Sequence, residues 1–401
     1  LLWDIPLELD AETREWRSYW TLDPTVTFLN HGSFGAAPIP VLQQQQAFRQ
    51  QLEADPVQFF IDALEPLLDS ARATLAAFVG ANPEQLAFVP NATTGVNTVL
   101  RSLPVQPGDE ILVTNHEYNA CRNAVDAVAQ YTGATVVVAT VPFPLSVDEA
   151  TATEHIVAAV MAQVTPRTQL VLIDHITSQT ALIMPIGTLI QQLQQRGIDT
   201  LVDGAHAPGM VPLALEELGA AYYTGNCHKW LCAPKGCAFL WARADRRDRL
   251  RPLVISHGAN APRSERSRFH LEFDWTGTHD PTPYLCLPTA LQWMASLLSG
   301  GWAELMAHNH QRAIAVRQSL CHQFQIAPPC PDALVGAMAV VPLPDRVPPD
   351  LQQQLYRQHR IQVPVIPWEQ MSWLLRLSAQ IYNTDADYDQ LAAALQPWMP
   401  G

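Results

Sequence analysis

The sequence predicts a doubly wound α/β domain followed by a smaller α+β domain, on three observations. From Leu86 onward, apolar runs suited to strands (LAFVP, EILVT, TVVVAT, TQLVLIDH, DTLVDG) alternate with segments of helical periodicity. Uninterrupted apolar strands with helices between them imply a mostly parallel sheet covered on both faces. Beyond Tyr284 the order changes to helices over 285–298 and 302–323, strand GAMAVVPL, a helix over 350–360 and strands near Ile361 and Leu374, an α+β arrangement. Finally, 401 residues at 48% hydrophobic and 15% charged are too many for one simple core. The expected division is an arm at 1–24 packing with the small domain, a large domain at 25–299 and a small domain at 300–401.

A formal net charge of -14 argues against nucleic acid or an anionic membrane as the main partner. The start of the chain, LLWDIPLELDAETREW, has no basic region leading into an apolar run, and no stretch reaches 18 apolar residues; a cytoplasmic location is the expectation. Seven cysteines, Cys121, Cys227, Cys232, Cys237, Cys286, Cys321 and Cys330, are an odd number with no C-x-x-C spacing. Buried free thiols in a reducing compartment are expected, and no metal site.

In chain order, the apolar run Val26 to Leu29 leads into Asn30-His31-Gly32-Ser33-Phe34-Gly35-Ala36-Ala37-Pro38, a turn whose glycines let backbone approach a neighbour closely. Helices are expected over 41–53 and 59–79, the second placing Leu64, Leu67, Leu68, Ala71, Leu75 and Phe78 on one core-facing stripe. Strand LAFVP runs into Asn91-Ala92-Thr93-Thr94-Gly95 and a helix; that helix N-terminus is either an ordinary cap or a phosphate site. His175, ending strand TQLVLIDH, reads as a hydrogen-bonded structural histidine. Strand DTLVDG ends in Asp203, a helical link follows, and a second strand through Tyr222 and Tyr223 leads to Lys229, 26 residues after Asp203. An acid and a lysine at neighbouring strand ends suit pyridoxal phosphate chemistry: the lysine carries the cofactor as a Schiff base and the carboxylate keeps the pyridine nitrogen protonated. Eight arginines between 243 and 268 (Arg243, Arg246, Arg247, Arg249, Arg251, Arg263, Arg266, Arg268) read as solvated charge, although SHGANAPRSERSRFHLEFDW could border a pocket for an anionic substrate.

Asp203-Gly204-Ala205-His206 followed by Gly225-Asn226-Cys227-His228-Lys229-Trp230 resembles the class V aminotransferase family of fold-type I pyridoxal phosphate enzymes. Together with LNHGSFG, it is most similar to the isopenicillin N epimerase-like branch. The resemblance implies a fold-type I transferase with a mixed, mostly parallel sheet and pyridoxal 5'-phosphate as cofactor. It makes Lys229, Asp203 and His206 the catalytic set, and Ala92 and Thr93, with Asn226 and His228, the phosphate ligands. It puts a ring at 117–118 over the pyridine: here Glu117 is followed by Tyr118, so Tyr118 takes that place, with adjacent His116 the alternative. It gives Ser178 or Gln179 the contact to the cofactor's phenolic oxygen.

The same resemblance makes Asn30, His31 and Gly32 border an amino acid substrate, and Arg376, in RLSAQIYNT, pair with its α-carboxylate. Trp275-Thr276-Gly277-Thr278 is similar to a family motif whose threonine reaches the other subunit's cofactor phosphate, implying a homodimer with Thr278 in that role. Family desulfurases carry a cysteine before the arginine, and VPVIPWEQMSWLL has none, so persulfide chemistry is disfavoured. The leading expectation is an amino acid epimerase or racemase, with a C-S β-lyase next, then an aminotransferase, and a non-catalytic cofactor-binding sensor behind them. An epimerase needs a second acid on the face opposite Lys229, for which Tyr118, His116, His206 and Tyr223 are candidates.

Overall fold

The computed structural model describes residues 16–369 and 371–399. Its twelve strands are β1 (Thr27–Phe28), β2 (Leu86–Val89), β3 (Glu110–Thr114), β4 (Thr135–Ala139), β5 (Thr168–Asp174), β6 (Asp199–Asp203), β7 (Tyr222–Asn226), β8 (Ala238–Ala242), β9 (Met338–Leu343), β10 (Ile361–Gln362), β11 (Val365–Trp368) and β12 (Ser372–Ser378). Seven of them form one sheet in the order β2-β8-β7-β6-β5-β3-β4. Neighbours from β7 to β4 run parallel, while β8 is antiparallel to both β7 and β2. β8 was not distinguished in the sequence, and it makes the sheet mixed.

Alternate residues of these strands enter cores on opposite faces: Leu112, Val171, Ile173 and Val202 on one, Ile111, Val113, Leu170, Leu172 and Leu201 on the other. Burial on both faces is why the strands read as unbroken apolar runs. Edge strand β4 departs from that expectation, since Thr135 and Val138 are exposed. The helical link expected after Asp203 is a single turn, Leu215–Leu218, because Pro208, Gly209 and Pro212 break the segment before it. The helix expected over 59–79 is two pieces, a wide turn Phe59–Ala63 and the helix Leu64–Val79.

β11, β12 and β9 form a separate antiparallel sheet, against which the helix Gly301–Gln323 packs. β1 pairs in parallel with β10, so the chain enters the loop 30–38 already tied to the C-terminal region. Of the expected arm, residues 1–15 lie outside the described residues. Trp16 packs edge-on against His308, and Trp20 against Trp293 and Tyr382. All seven cysteines are buried and free. Among the described residues no helix is long and apolar enough to cross a membrane.

Candidate active site

β5, β6 and β7 end side by side, with Asp174 in register with Asp203 and Asp203 with Thr224. Two carboxyl groups therefore meet at the carboxyl edge of the sheet, where parallel α/β sheets bind ligands. Lys229 follows β7 on a loop that closes on itself: the N–H groups of Cys227 and His228 both donate to the Cys237 carbonyl, at 2.9 and 3.1 Å. Loop 30–38 crosses above it. Gly35 has φ +68°, and a Cβ there would lie 2.0 Å from the His228 carbonyl oxygen, so only glycine allows this approach. The His31 ring donates through Nε2 to the Lys229 carbonyl at 3.0 Å and meets the Tyr382 hydroxyl at 2.8 Å through Nδ1. The lysine's backbone is thereby held between two parts of the chain more than 150 residues apart on either side.

Above the strand ends lies a cavity of about 490 Å³, walled by residues that include Ser33, Phe34, Thr93, Tyr118, Asp174, Ser178, Asp203, His206, His228, Lys229 and Lys235. Lys229 Nζ makes its one side-chain hydrogen bond among the described residues to His206 Nε2, at 3.2 Å. Burial, then the charge of Arg376, lowers its pKa to about 8, so a usable fraction of neutral amine exists near neutrality. Burial and the neighbouring Lys229 ammonium hold His206 well below its usual value, which keeps it a neutral acceptor for that amine. His206 Nδ1 is buried without a partner.

Beneath Lys229 lie three buried carboxyls. Asp203 accepts from the Cys121 thiol at 3.1 Å and from the Ala205 N–H at 2.9 Å. Glu117 has both oxygens unpartnered, as has one oxygen of Asp174. Burial and then mutual repulsion raise the pKa of Glu117 and Asp174 well above the usual carboxylate range; burial also raises Asp203, opposed by its two hydrogen bonds and by Lys229. Asp203 is therefore the group of the three best able to keep a negative charge.

Arg376, on β12, is buried and reaches the cavity wall from the other sheet. It donates to the carbonyl and the hydroxyl of Ser178, to Ser33 Oγ at 2.9 Å and to Asn30 Oδ1 at 3.4 Å. None of these partners is an anion, and burial lowers its pKa to about 10. Such a guanidinium suits a carboxylate brought by a ligand.

The structure gathers Thr93, Tyr118, Ser178, Asp203, His206, Asn226, His228 and Lys229 around one cavity, and Ala92 with them. Ala92's N–H is already taken by the Asn226 side-chain oxygen at 2.8 Å, and Asn91 caps the same helix, Ala92–Ser102, through the Thr94 N–H. Thr93 is left as the donor at that end. His228 Nδ1 faces the Cys237 carbonyl at 3.0 Å, so Nδ1 carries the proton and Nε2 can donate to an anion only when the ring is charged.

Of the two candidates for the cofactor's phenolic oxygen, Ser178 lines the cavity and Gln179 does not. His31 and Gly32, expected to border substrate, lie behind the wall: His31 holds Lys229, and Gly32 sits against Met338, where a Cβ would meet its sulfur at 2.3 Å. Asn30 acts through Ser33 and Arg376. His116 is fixed by Thr180 at 2.7 Å and by the Val141 carbonyl, so Tyr118 is the ring at the cavity. His175 bonds the Tyr223 hydroxyl at 2.8 Å, the structural role expected of it. Thr278 is exposed and outside the cavity.

Sequence reasoning missed Asp174, Ser33, Phe34 and Lys235. Asp174 ends its strand just as Asp203 does, and that repetition was the available signal. The arginines at 243–268 that were candidates for an anion pocket are largely spent on acids: Arg243 and Arg246 on Asp245, Arg251 and Arg268 on Glu272, Arg263 on Glu65, and Arg266 on Asp69 and Asp274. None of the eight lines the cavity.

These residues fit pyridoxal 5'-phosphate. A buried lysine amine without an acid partner, the adjacent Asp203 carboxyl, orphaned His206 Nδ1 and a helix start with Thr93 free are the set that its aldehyde, ring nitrogen, ring substituents and phosphate require.

The description Aminotransferase class-V matches residues 35–391 of this chain. An isopenicillin N epimerase of Amycolatopsis lactamdurans is 38% identical over 95% of this chain and 97% of its own length. A putative L-cysteine desulfhydrase of Oryza sativa subsp. japonica is 29% identical over 92% of this chain and 82% of its own. Among solved structures, a C-DES mutant with glycine covalently linked to its PLP cofactor superposes with a TM-score of 0.80, covering 95% of this chain and 99% of that one at 22% identity.

Proposed function

Because the chain belongs to the aminotransferase class-V family, we propose that this pyridoxal 5'-phosphate-dependent protein is an amino acid epimerase or racemase. Tyr118 is the observation that carries the reading. Of the four candidates for a second acid, His116 and Tyr223 are buried away from the cavity, and His206 is bonded to Lys229 itself. Tyr118 lines the cavity, is 43% exposed and makes no hydrogen bond through its phenol among the described residues.

Arg376 holds the substrate carboxylate, and Ser33 and Ser178 orient the guanidinium. The Lys229 amine, of which burial leaves a usable fraction neutral, removes the Cα proton, with His206 ready to accept from the resulting ammonium. Pyridoxal phosphate held by Lys229 would supply the sink for the electron pair left at Cα, and Asp203 at the floor would hold the charge opposite its ring nitrogen. Tyr118 returns a proton to the opposite face. A C-S β-lyase is the second reading, favoured by the similarity to the cysteine desulfhydrase; it uses the same residues up to Cα deprotonation and then expels a β-substituent. An aminotransferase would instead have Lys229 reprotonate the cofactor carbon.

The active unit is read as a homodimer, with Thr278 serving the neighbouring site. It is supported by the exposed run Leu253, Val254 and Ile255, beside a hollow that Val254 shares with Thr276. The deciding experiment incubates the holoenzyme with L-amino acids in deuterated water and follows Cα exchange, chirality and keto-acid release together. Exchange with inversion and no keto acid supports the epimerase. Keto acid with loss of a β-substituent replaces it with the lyase.

A further inference from the structure

The chain contains 22 arginines and two lysines. Both lysines, Lys229 and Lys235, line the same cavity. They stand six residues apart on the one closed loop between β7 and β8, pinned at its far end by Gly236 at φ +88° and by the Cys237 carbonyl. Lys229 is accounted for by the chemistry above. Lys235 has no acid and no hydrogen-bond acceptor among the described residues, whereas the arginines of the neighbouring 243–268 segment are largely ion-paired. The two acids on the cavity wall, Asp174 and Asp203, are buried at its floor.

Phe34, 73% exposed, lines the same cavity. The cavity therefore offers an apolar ring and an unpaired ammonium point charge, separate from the guanidinium behind Ser33 and Ser178. A ligand that satisfies both cations carries two anionic groups joined by an apolar span. We propose that Lys235 binds the distal anion of the substrate, making the site selective for α-amino acids whose side chain ends in a carboxylate. This rests on the reading of the site as an amino acid site held by Arg376. The cofactor phosphate is another oxyanion that could reach Lys235, and the test separates the two.

The holoenzyme is titrated with a series of ω-carboxylate L-amino acids, from L-glutamate to L-2-aminopimelate, and with uncharged L-norleucine. Binding is followed by the change in cofactor absorbance, which needs no turnover; cofactor affinity is measured separately on the apoprotein. Native protein should prefer at least one acid of the series to norleucine. Lys235→Met should weaken that acid roughly tenfold, leave norleucine and cofactor affinity within about twofold, and be rescued in part by Lys235→Arg. An unchanged ratio of acid to norleucine overturns the proposal. If that ratio holds while cofactor affinity falls about tenfold, the anion is the phosphate and the substrate assignment is wrong. Failure of the broader reading looks different: no amino acid, acidic or neutral, then perturbs the absorbance or exchanges its Cα proton, and the proposal falls with it.

Discussion

The floor of the cavity and the wall contributed by β12 bury charge in opposite ways. On the floor three carboxyls, Glu117, Asp174 and Asp203, crowd beneath a single lysine, and burial, then repulsion among them, pushes Glu117 and Asp174 furthest toward the neutral form. On the wall one guanidinium, Arg376, is surrounded by neutral oxygens of Ser33, Asn30 and Ser178 and stays charged. The fully buried Arg72 shows the third possibility: it is paired with Asp69 and Asp274, and such a pair holds two segments together and has nothing left for a ligand. A buried charge that the fold leaves without a counter-ion is available to a ligand, and by that measure Arg376 is open to one while Arg72 belongs to the scaffold.

The largest test removes the cation that the floor depends on. Lys229→Ala should lower Cα exchange by on the order of 10³-fold or more and abolish the absorbance of the lysine-linked cofactor; a surviving band would defeat the assignment. Next, the floor's own division can be broken. Asp203→Asn should cost about 10²-fold in exchange rate, whereas Asp174→Asn and Glu117→Gln, which replace acids that burial pushes toward the neutral form, should change it by less than about threefold. The reverse ranking would put the working charge on the wrong carboxyl.

Arg376→Lys sharpens the wall. It keeps the charge and loses the fork, so amino acid affinity should fall roughly 10- to 100-fold with the melting temperature little changed, since no anion of the protein is left unpaired. The pH dependence follows from Lys229. Its pKa is lowered to about 8, so the amine is protonated below that pH. Cofactor capture by the apoprotein, followed by absorbance, should be about tenfold slower at one pH unit below the midpoint than on the plateau above it; a rate flat from pH 6 to 9 would show that Lys229 is not tuned by burial. The smallest effect is expected at Thr278→Ala. A few-fold loss of cofactor affinity that vanishes on dilution to monomer, measured by ultracentrifugation alongside absorbance, would support its role across a dimer.

Much of the fold was legible because the strands of the large sheet are buried on both faces, and burial on both faces leaves an apolar run in the sequence. β8 was missed since it is antiparallel and lies directly after the lysine loop, where no helix marks a crossover. Edge strand β4 was read as covered because Val136, Val137 and Val138 look like core, yet only one neighbour pairs with it. At the site, Asp203, Lys229, His206 and Arg376 were legible from chemistry and motif. The contents of loop 30–38 were legible only as a loop: which of Asn30, His31, Gly32, Ser33 and Phe34 faces the ligand depends on how it crosses the Lys229 segment.

The sequence by itself determined the chemistry: a strand-end acid, a lysine behind the next strand, an arginine near the end of the chain, and an alternation of strands and helices that brings the first two to one sheet edge. Only the tertiary structure decided the rest. It set Asp174 against Asp203, so that two acids compete for one charge. It turned His31 from a ligand contact into a support for Lys229, and it left Lys235 on the cavity, and Arg376 behind Ser33 and Ser178, without counter-ions. These are facts about distances between residues far apart in the chain, and charge states follow from distances and burial, which no local pattern of residues contains.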